Sequence, residues 1–314
     1  MDDNNVTIVM YHYIRNLKES DFPRIKARSV VDFENQLKYF RKSYSVISIH
    51  ELLAAIRKEQ PLPNNSLLLT FDDGYIDHYI NVLPLLIKYN MSGCFYPCGK
   101  AIDNNIVLDV NKIHFIIASM LSPVALRNEI FTMLDEYRAE YSLESNEYYY
   151  NNLCIPNKYD TGDIIFIKRL LQRELRYEVR TRIISSLFTK YVTSDEKGFS
   201  EQLYLNADNL NEIISEGMHV GIHGYNHFWL NTLSPEDQQK EITQSIQFLN
   251  SIGGKYNDLT ICYPYGAIDE SVLRIVENML FGCGFIVDGR VADISYDHKY
   301  KLPRMDTNMI PISC

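Results

Sequence analysis

The sequence predicts an α/β protein built on a parallel array of about seven strands and interrupted once by a large helical insertion. Three observations carry this. Short apolar, β-branched runs alternate with helix-period segments over residues 6–96 and 207–287. The links between them are short, so successive strands must pair in parallel through right-handed crossovers. Between Asp103 and Gln202 the alternation stops and only helical periodicity remains.

Taken in order, Val6 to Tyr11 reads as a strand that ends in Tyr11-His12-Tyr13. Phe33 to Phe40 and Ile49 to Ile56 carry apolar residues at helical spacing, with a strand-like Val46-Ile47 pair between them. Leu67 to Phe71 is an apolar strand followed at once by Asp72, Asp73 and Gly74. Ile76 to Tyr89 predicts a helix kinked at Pro84, and Gly93 to Tyr96 another strand. In the insertion, Ile113, Phe115, Ile116 and Ile117 lead one helical segment and Ile164 to Tyr191 another. Its position after a strand C-terminus predicts that it flanks the active-site face as a cap or subunit contact. The alternation resumes with a helix from Ala207 to Glu216 stopped by Gly217, and a strand from Met218 to Ile222 ending in His223-Gly224-Tyr225-Asn226-His227. A helix from Pro235 to Ile252 closed by Gly253-Gly254, a strand from Leu259 to Tyr263, the turn Pro264-Tyr265-Gly266, a helix from Glu270 to Met279 and a strand from Gly284 to Val287 complete the count. The predicted division is a discontinuous α/β domain, 1–102 and 203–314, around a helical insertion, 103–202.

With 314 residues the chain suits an α/β barrel with an insertion. A formal net charge of -9 argues against nucleic acid and anionic membrane as main partners. The N-terminus carries acids where a signal peptide has basic residues, and no apolar run approaches 18 residues; the expectation is a cytoplasmic protein without an integral membrane segment. Cys94, Cys98, Cys154, Cys262, Cys283 and Cys314 are scattered, as expected of reduced thiols, and Cys94 and Cys98 lack the second pair a structural zinc site needs.

Two carboxylates at the end of a buried strand need partners, because an isolated buried carboxylate either neutralises or escapes to water. In a parallel α/β array the strand C-termini share one face, so His12, Asp72, Asp73, His223, His227 and Tyr265 converge there. Two histidines four residues apart are expected on one face of a helical turn, and with one carboxylate they form a three-ligand set that leaves positions open for water and substrate. A magnesium phosphotransferase built on the aspartate pair would leave both imidazoles idle, since imidazole is a poor magnesium ligand.

Thr70-Phe71-Asp72-Asp73-Gly74, the His-x-x-x-His-x-x-Leu run from His223 to Leu230, and Tyr263-Pro264-Tyr265-Gly266, in that order, resemble the polysaccharide deacetylases with a NodB homology domain, carbohydrate esterase family 4. The resemblance covers roughly Val6 to Tyr96 and Ala207 to Asp306. It implies a distorted (β/α) barrel of about seven strands and a metal-dependent hydrolase that removes N-acetyl or other N-acyl groups from an amino sugar in a glycan or its precursor. By the same resemblance, Asp72 corresponds to the general base; Asp73, His223 and His227 to the ligands of one divalent ion, zinc by ligand type; and the Tyr265 backbone N–H to an oxyanion donor. The family's late Leu-x-x-His motif is absent. His12 resembles the N-terminal histidine of the exopolysaccharide-deacetylase branch and takes the role of proton donor. Cys262 stands where many members carry an arginine that orients the catalytic aspartate, and Gly224 where a small hydroxyl residue often follows the first histidine. Leu302-Pro303-Arg304 resembles a late segment of the exopolysaccharide branch, so Arg304 is expected to replace the missing arginine, its planar fork gripping Asp72. Alternative readings are a hydrolase of a small non-sugar C–N bond and a catalytically silent carbohydrate-binding module.

Overall fold

The central strand shows why the sheet forms. In Ser66–Asp73 every residue is buried, the pattern of a strand covered on both faces. The computed structural model describes residues 4–156, 160–253 and 258–312; Gly254 and Cys314 lie outside the described residues. Its strands are β1 (Asn5–Tyr11), β2 (Ser45–Val46), β3 (Ser66–Asp73), β4 (Cys94–Pro97), β5 (His219–Val220), β6 (Thr260–Cys262), β7 (Cys283–Val287), β8 (Ala292–Asp293) and β9 (Leu302–Asp306). They run in the order β5-β4-β3-β1-β9-β7-β6, with β2 on β3 and β8 on β1. Each pairing along that order is parallel. A parallel bridge between Ile222 and Ile261 joins its two ends, Ile222 N and Cys262 N donating across it at 3.0 Å each. The result is the expected α/β fold, a distorted barrel of seven parallel strands.

Which seven differs from the sequence reading. The predicted Val46 strand is a two-residue piece beside the start of β3, off the main order. Its place is taken by β9, which contains Pro303. Proline removes a ladder donor and argues against a central strand. Here the β1 pairing begins past the proline, at Met305.

Alternation along β3 sorts its side chains. Leu67, Leu69 and Phe71 join the outer core with Val9, Phe33 and Phe95, whereas Leu68 joins Ile8, Tyr96, Cys262, Phe285 and Leu302 in a second core. Side chains two apart share a face, so Thr70 and Asp72 follow Leu68, and Arg304 follows Leu302.

The helices start on side-chain caps: Ser29 for Val30–Ser43, Ser48 with Glu51 for Ile49–Ile56, Asn206 with Asn209 for Ala207–Ser215, Ser234 for Pro235–Ser251 and Asp269 for Glu270–Asn278. The predicted Pro84 kink takes the form of a π-turn over His78–Val82 followed by the helix Leu83–Tyr89, with Pro84 in its first turn. There proline's missing N–H costs nothing.

The chain divides into two compact units, 1–16 with 26–106 and 200–314, and 17–25 with 107–199. The second unit is helical, with Asp109–Ser119, Pro123–Tyr141, Asn146–Leu153, Gly162–Arg169 and Tyr177–Tyr191 as its main α-helices. Leu17–Ile25, a segment the sequence reading leaves with the barrel, belongs to this unit: Phe22 packs edge-on to Phe115 and Phe199, and Arg24 donates to the carbonyls of Ala118 and Ser119, both at 2.8 Å. Those carbonyls end a helix and have no intrahelical donor. The described cysteines, Cys94, Cys98, Cys154, Cys262 and Cys283, are free. Among the described residues no helix is long and apolar enough to cross a membrane.

Candidate metal centre and its carboxylate partner

The strand C-termini bring Asp73, His223 and His227 together. Asp73 Oδ1 lies 3.4 Å from His223 Nε2 and 3.3 Å from His227 Nε2, and the three ligand atoms lie within 4.8 Å of one another. Asp73 Oδ1 is buried without a hydrogen-bond partner. An acceptor so placed is costly unless something else binds it, and one carboxylate oxygen with two imidazole nitrogens is a donor set that suits a single divalent ion.

The surroundings aim these three donors. Tyr75 donates its hydroxyl proton to Asp73 Oδ2, so Oδ2 is occupied and Oδ1 faces the histidines. His223 Nδ1 lies 2.7 Å from the Cys262 carbonyl; the proton there must be on Nδ1, which leaves the Nε2 lone pair toward Asp73. Burial raises the Asp73 carboxyl, but the closeness of the His223 and His227 imidazoles outweighs it and holds the group well below the usual carboxylate range. Because ligand-orienting contacts tune affinity, Tyr75→Phe is expected to weaken divalent-ion binding by about 10- to 100-fold. Competition against a chelator of known affinity measures this, and an unchanged affinity would show that Tyr75 does not orient Asp73.

The histidine segment is not the helical turn expected from its spacing. Residues 223–227 are a loop with Gly224 at φ 71° and His227 at φ 61°. These positive values break any helical path, and Gly224 tolerates its conformation because it lacks a Cβ. A Cβ there would also stand 3.2 Å from Glu241 Oε1, so glycine replaces the hydroxyl residue for a local reason. Glu241 secures the loop by accepting from Asn226 N at 2.5 Å and Asn226 Nδ2 at 2.6 Å. Asp73 at φ 72° and Tyr265 at φ 58° are left-handed as well. Three site residues therefore hold a conformation that ordinary side chains avoid, as happens where geometry is imposed for function.

Asp72 points to the opposite face of β3 from Leu69 and Phe71, toward the second core. There Arg304 Nη1 donates to Asp72 Oδ1 at 2.8 Å and Nη2 to Oδ2 at 2.7 Å, while Nη1 also reaches Thr70 Oγ1 at 3.1 Å and Cys262 Sγ at 3.0 Å. Arg304 thus lies where the sequence places it, and the small Cys262 leaves it room. Both partners are almost fully excluded from water, at 1% exposure each. Burial pushes the Asp72 carboxyl up; the charge of Arg304 first, and its hydrogen bonds with it, override this and hold it down at about 2. Arg304→Met leaves that carboxylate buried and unpaired, which is expected to cost about 3–5 kcal/mol of stability. Denaturant unfolding measures it; a loss below about 1 kcal/mol would contradict a tight buried pair.

His12 follows β1 directly, and the β1–β3 register, Tyr11 opposite Phe71, sets it level with Asp72. Tyr265 sits in a tight turn, Pro264–Gly266. Its ring meets His227 edge-on at 4.8 Å and stacks on Trp229 at 4.2 Å with an 8° tilt between planes. The sequence reading singled out neither Tyr75 nor Trp229 nor Glu241. Tyr75 adjoins the aspartate pair and Trp229 lies two residues past His227, so proximity to the motifs was the available signal; Glu241 is 15 residues from its partner and gave none.

Comparison with known proteins agrees with this fold. Residues 59–140 and 184–282 match the family model described as polysaccharide deacetylase. The poly-beta-1,6-N-acetyl-D-glucosamine N-deacetylase of Escherichia coli K12 is 28% identical over 101 residues, 32% of this chain and 15% of that protein. The curated relatives are matched over a third of their length or less. Among solved structures, the Streptococcus pyogenes deacetylase PplD in complex with acetate superposes with a TM-score of 0.58 at 17% identity, covering 96% of this chain and 92% of that one. IcaB from Ammonifex degensii gives 0.57 at 14% identity, covering 96% and 91%. Identities this low establish the shared fold, and the family model, matching more than half of the chain, establishes membership. The chain belongs to the polysaccharide deacetylase family, with the NodB homology fold and an Asp-His-His group suited to one metal ion.

Proposed function

We propose that this protein is a metal-dependent N-deacetylase acting on an N-acetylated amino sugar within a glycan or glycan precursor, with zinc held by Asp73, His223 and His227. The observation that carries the reading is the adjacency of two differently employed carboxylates: Asp73 turned to the imidazoles, Asp72 ionised and clamped by Arg304. Adjacent acids in contrasting surroundings mark separate chemical roles. The ion would supply Lewis-acid polarisation of the amide carbonyl and of the attacking water. Asp72 accepts the proton of that water as it attacks the carbonyl carbon, and Arg304 keeps the carboxylate ionised and pointed into the site. The Tyr265 backbone N–H donates to the carbonyl oxygen as negative charge develops on it. As the C–N bond breaks, His12 gives a proton to the departing nitrogen, so the products are acetate and a free amino sugar. The stacked Trp229 and Tyr265 rings beside His227 offer an apolar wall suited to an acetyl methyl or a sugar face. The substrate named for the Escherichia coli relative supports N-acetylglucosamine polymers as first choice.

Acetate release from a panel of N-acetylglucosamine oligomers, nucleotide-linked N-acetyl sugars and small non-sugar amides tests this. Release from one or more N-acetyl sugars is expected. Turnover confined to the non-sugar amides would replace the reading with the small C–N hydrolase, and binding of glycans without turnover would replace it with a binding module.

A further inference from the structure

The segment that follows the aspartate pair, residues 75–81, reaches back and fastens the loop that carries His12. Five hydrogen bonds and one ring contact do so. Asp77 accepts from Ile14 N at 3.1 Å, and from Arg15 Nε at 2.8 Å and Nη2 at 2.9 Å, a two-pronged grip. Asn81 Nδ2 donates to the Ile14 carbonyl at 2.8 Å. The Tyr75 and Tyr13 rings stack at 4.0 Å. His78 Nε2 lies 2.9 Å from the carbonyl oxygen of His12 itself.

His78 is fully buried and packs against Phe71, Tyr75 and Phe95. Its Nδ1 has no hydrogen-bond partner. A proton on Nδ1 would be wasted in that apolar setting, whereas a proton on Nε2 satisfies the His12 carbonyl, so the ring is fixed as a neutral Nε2–H donor. Burial supports the neutral form, pushing its pKa down to about 4. The backbone here is also unusual: His78 opens the π-turn of residues 78–82, and such turns are frequent where a helix serves a functional site. An ordinary α-turn would carry no such burden, and a buried histidine is an expensive way to satisfy one carbonyl unless the carbonyl's position matters.

We propose that His78 is a positioning residue that acts through His12: by holding the His12 carbonyl, with Asp77 and Asn81 fixing Ile14 and Arg15 just beyond it, it sets the direction in which the His12 imidazole enters the site. The proposal rests on His12 as the proton donor to the departing amine. Because Tyr75 also holds Asp73 Oδ2, one stretch of chain aligns both the ion-binding carboxylate and the proton donor.

The test is a double-mutant cycle on N-acetylglucosamine oligomer deacetylation, with the divalent-ion content of every variant measured beside it. His78→Leu is expected to lower turnover between about 10- and 100-fold at unchanged ion content, the scale of a group misplaced by about an ångström. His78→Gln places an amide N–H where Nε2 stood and should recover most of the rate. In the His12→Ala background, His78→Leu should cost nothing more. A near-normal rate for His78→Leu, failure of glutamine to rescue, or an undiminished loss in the His12→Ala background would each overturn the proposal. Should His78→Leu not fold, Asn81→Ala removes a partly exposed contact to the same loop and takes its place in the cycle with the same criteria. A full rate for His12→Ala alone would instead remove the proton-donor reading, and the positioning role with it, whereas a wild-type protein silent on every N-acetyl sugar would locate the failure in the deacetylase reading itself.

Discussion

Asp72→Asn is expected to keep its ion and lose about 10²- to 10⁴-fold in turnover, the range contributed by a positioned general base. The amide is nearly the size and shape of the carboxylate and can still accept one hydrogen bond from Arg304, so the site should keep its form. What it loses is the capacity to take a proton. It also loses the charge that balances a buried guanidinium, and an unbalanced buried charge is costly. Part of any rate loss could therefore come from a loosened core. Asp72→Asn combined with Arg304→Met separates the two effects, because it removes both charges together and replaces them with neutral groups of similar volume. Stability should recover relative to either single variant, and turnover should not. Unfolding curves and rates on the three proteins decide it. If Asp72→Asn turned over at the wild-type rate, the base would be another group.

Removing an imidazole from the triad should have a larger effect still. With two of three donors left, His223→Ala and His227→Ala are expected to come out of purification with well under one equivalent of divalent ion, and with acetate release at background. The two variants need not behave alike. His223 is tied through Nδ1 to the Cys262 carbonyl and sits almost fully buried, so its loss also leaves a carbonyl without its donor. His227 Nδ1 has no hydrogen-bond partner, so its truncation removes the ligand with less collateral cost. We expect His223→Ala to be the less stable of the two, by about 1–3 kcal/mol, the cost of an orphaned buried acceptor. Element analysis and thermal unfolding measure the pair. Full ion retention in both variants would sink the assignment of these histidines.

How far the sequence carried depends on where each interaction's information lies. The α/β barrel was legible because strand and helix periods alternate along the chain, and the aspartate pair stood out because acids at the end of Leu67–Phe71 contradict its apolar pattern. Asp73, His223 and His227 sit inside two short motifs, so their meeting needed only the rule that parallel strands share a C-terminal face. Arg304 is different. It lies 232 residues from its partner, and its strand was hidden by Pro303, so physics alone offered only an arginine after a proline; the family resemblance supplied the pairing. The loop conformation of 223–227 was misread because a spacing of four fits a helix, while the deciding fact, two positive φ angles, lives in the backbone. Tyr75, Asp77 and His78 act by supporting other residues, and a supporting role leaves no compositional trace. The Leu17–Ile25 segment was misplaced for a similar reason: its allegiance is set by Phe22 and Arg24 contacts to residues about 90 positions away.

The most direct measurement is acetate release from N-acetylglucosamine oligomers by one preparation, stripped with a chelator and then titrated with zinc while bound metal is counted. The account predicts that release falls to background on stripping and returns in proportion to bound zinc, reaching its plateau at one equivalent per chain in the wild type and failing to return in His227→Ala. Release that persists in the stripped protein, or that rises only with a second equivalent bound, would contradict a single catalytic ion held by Asp73, His223 and His227.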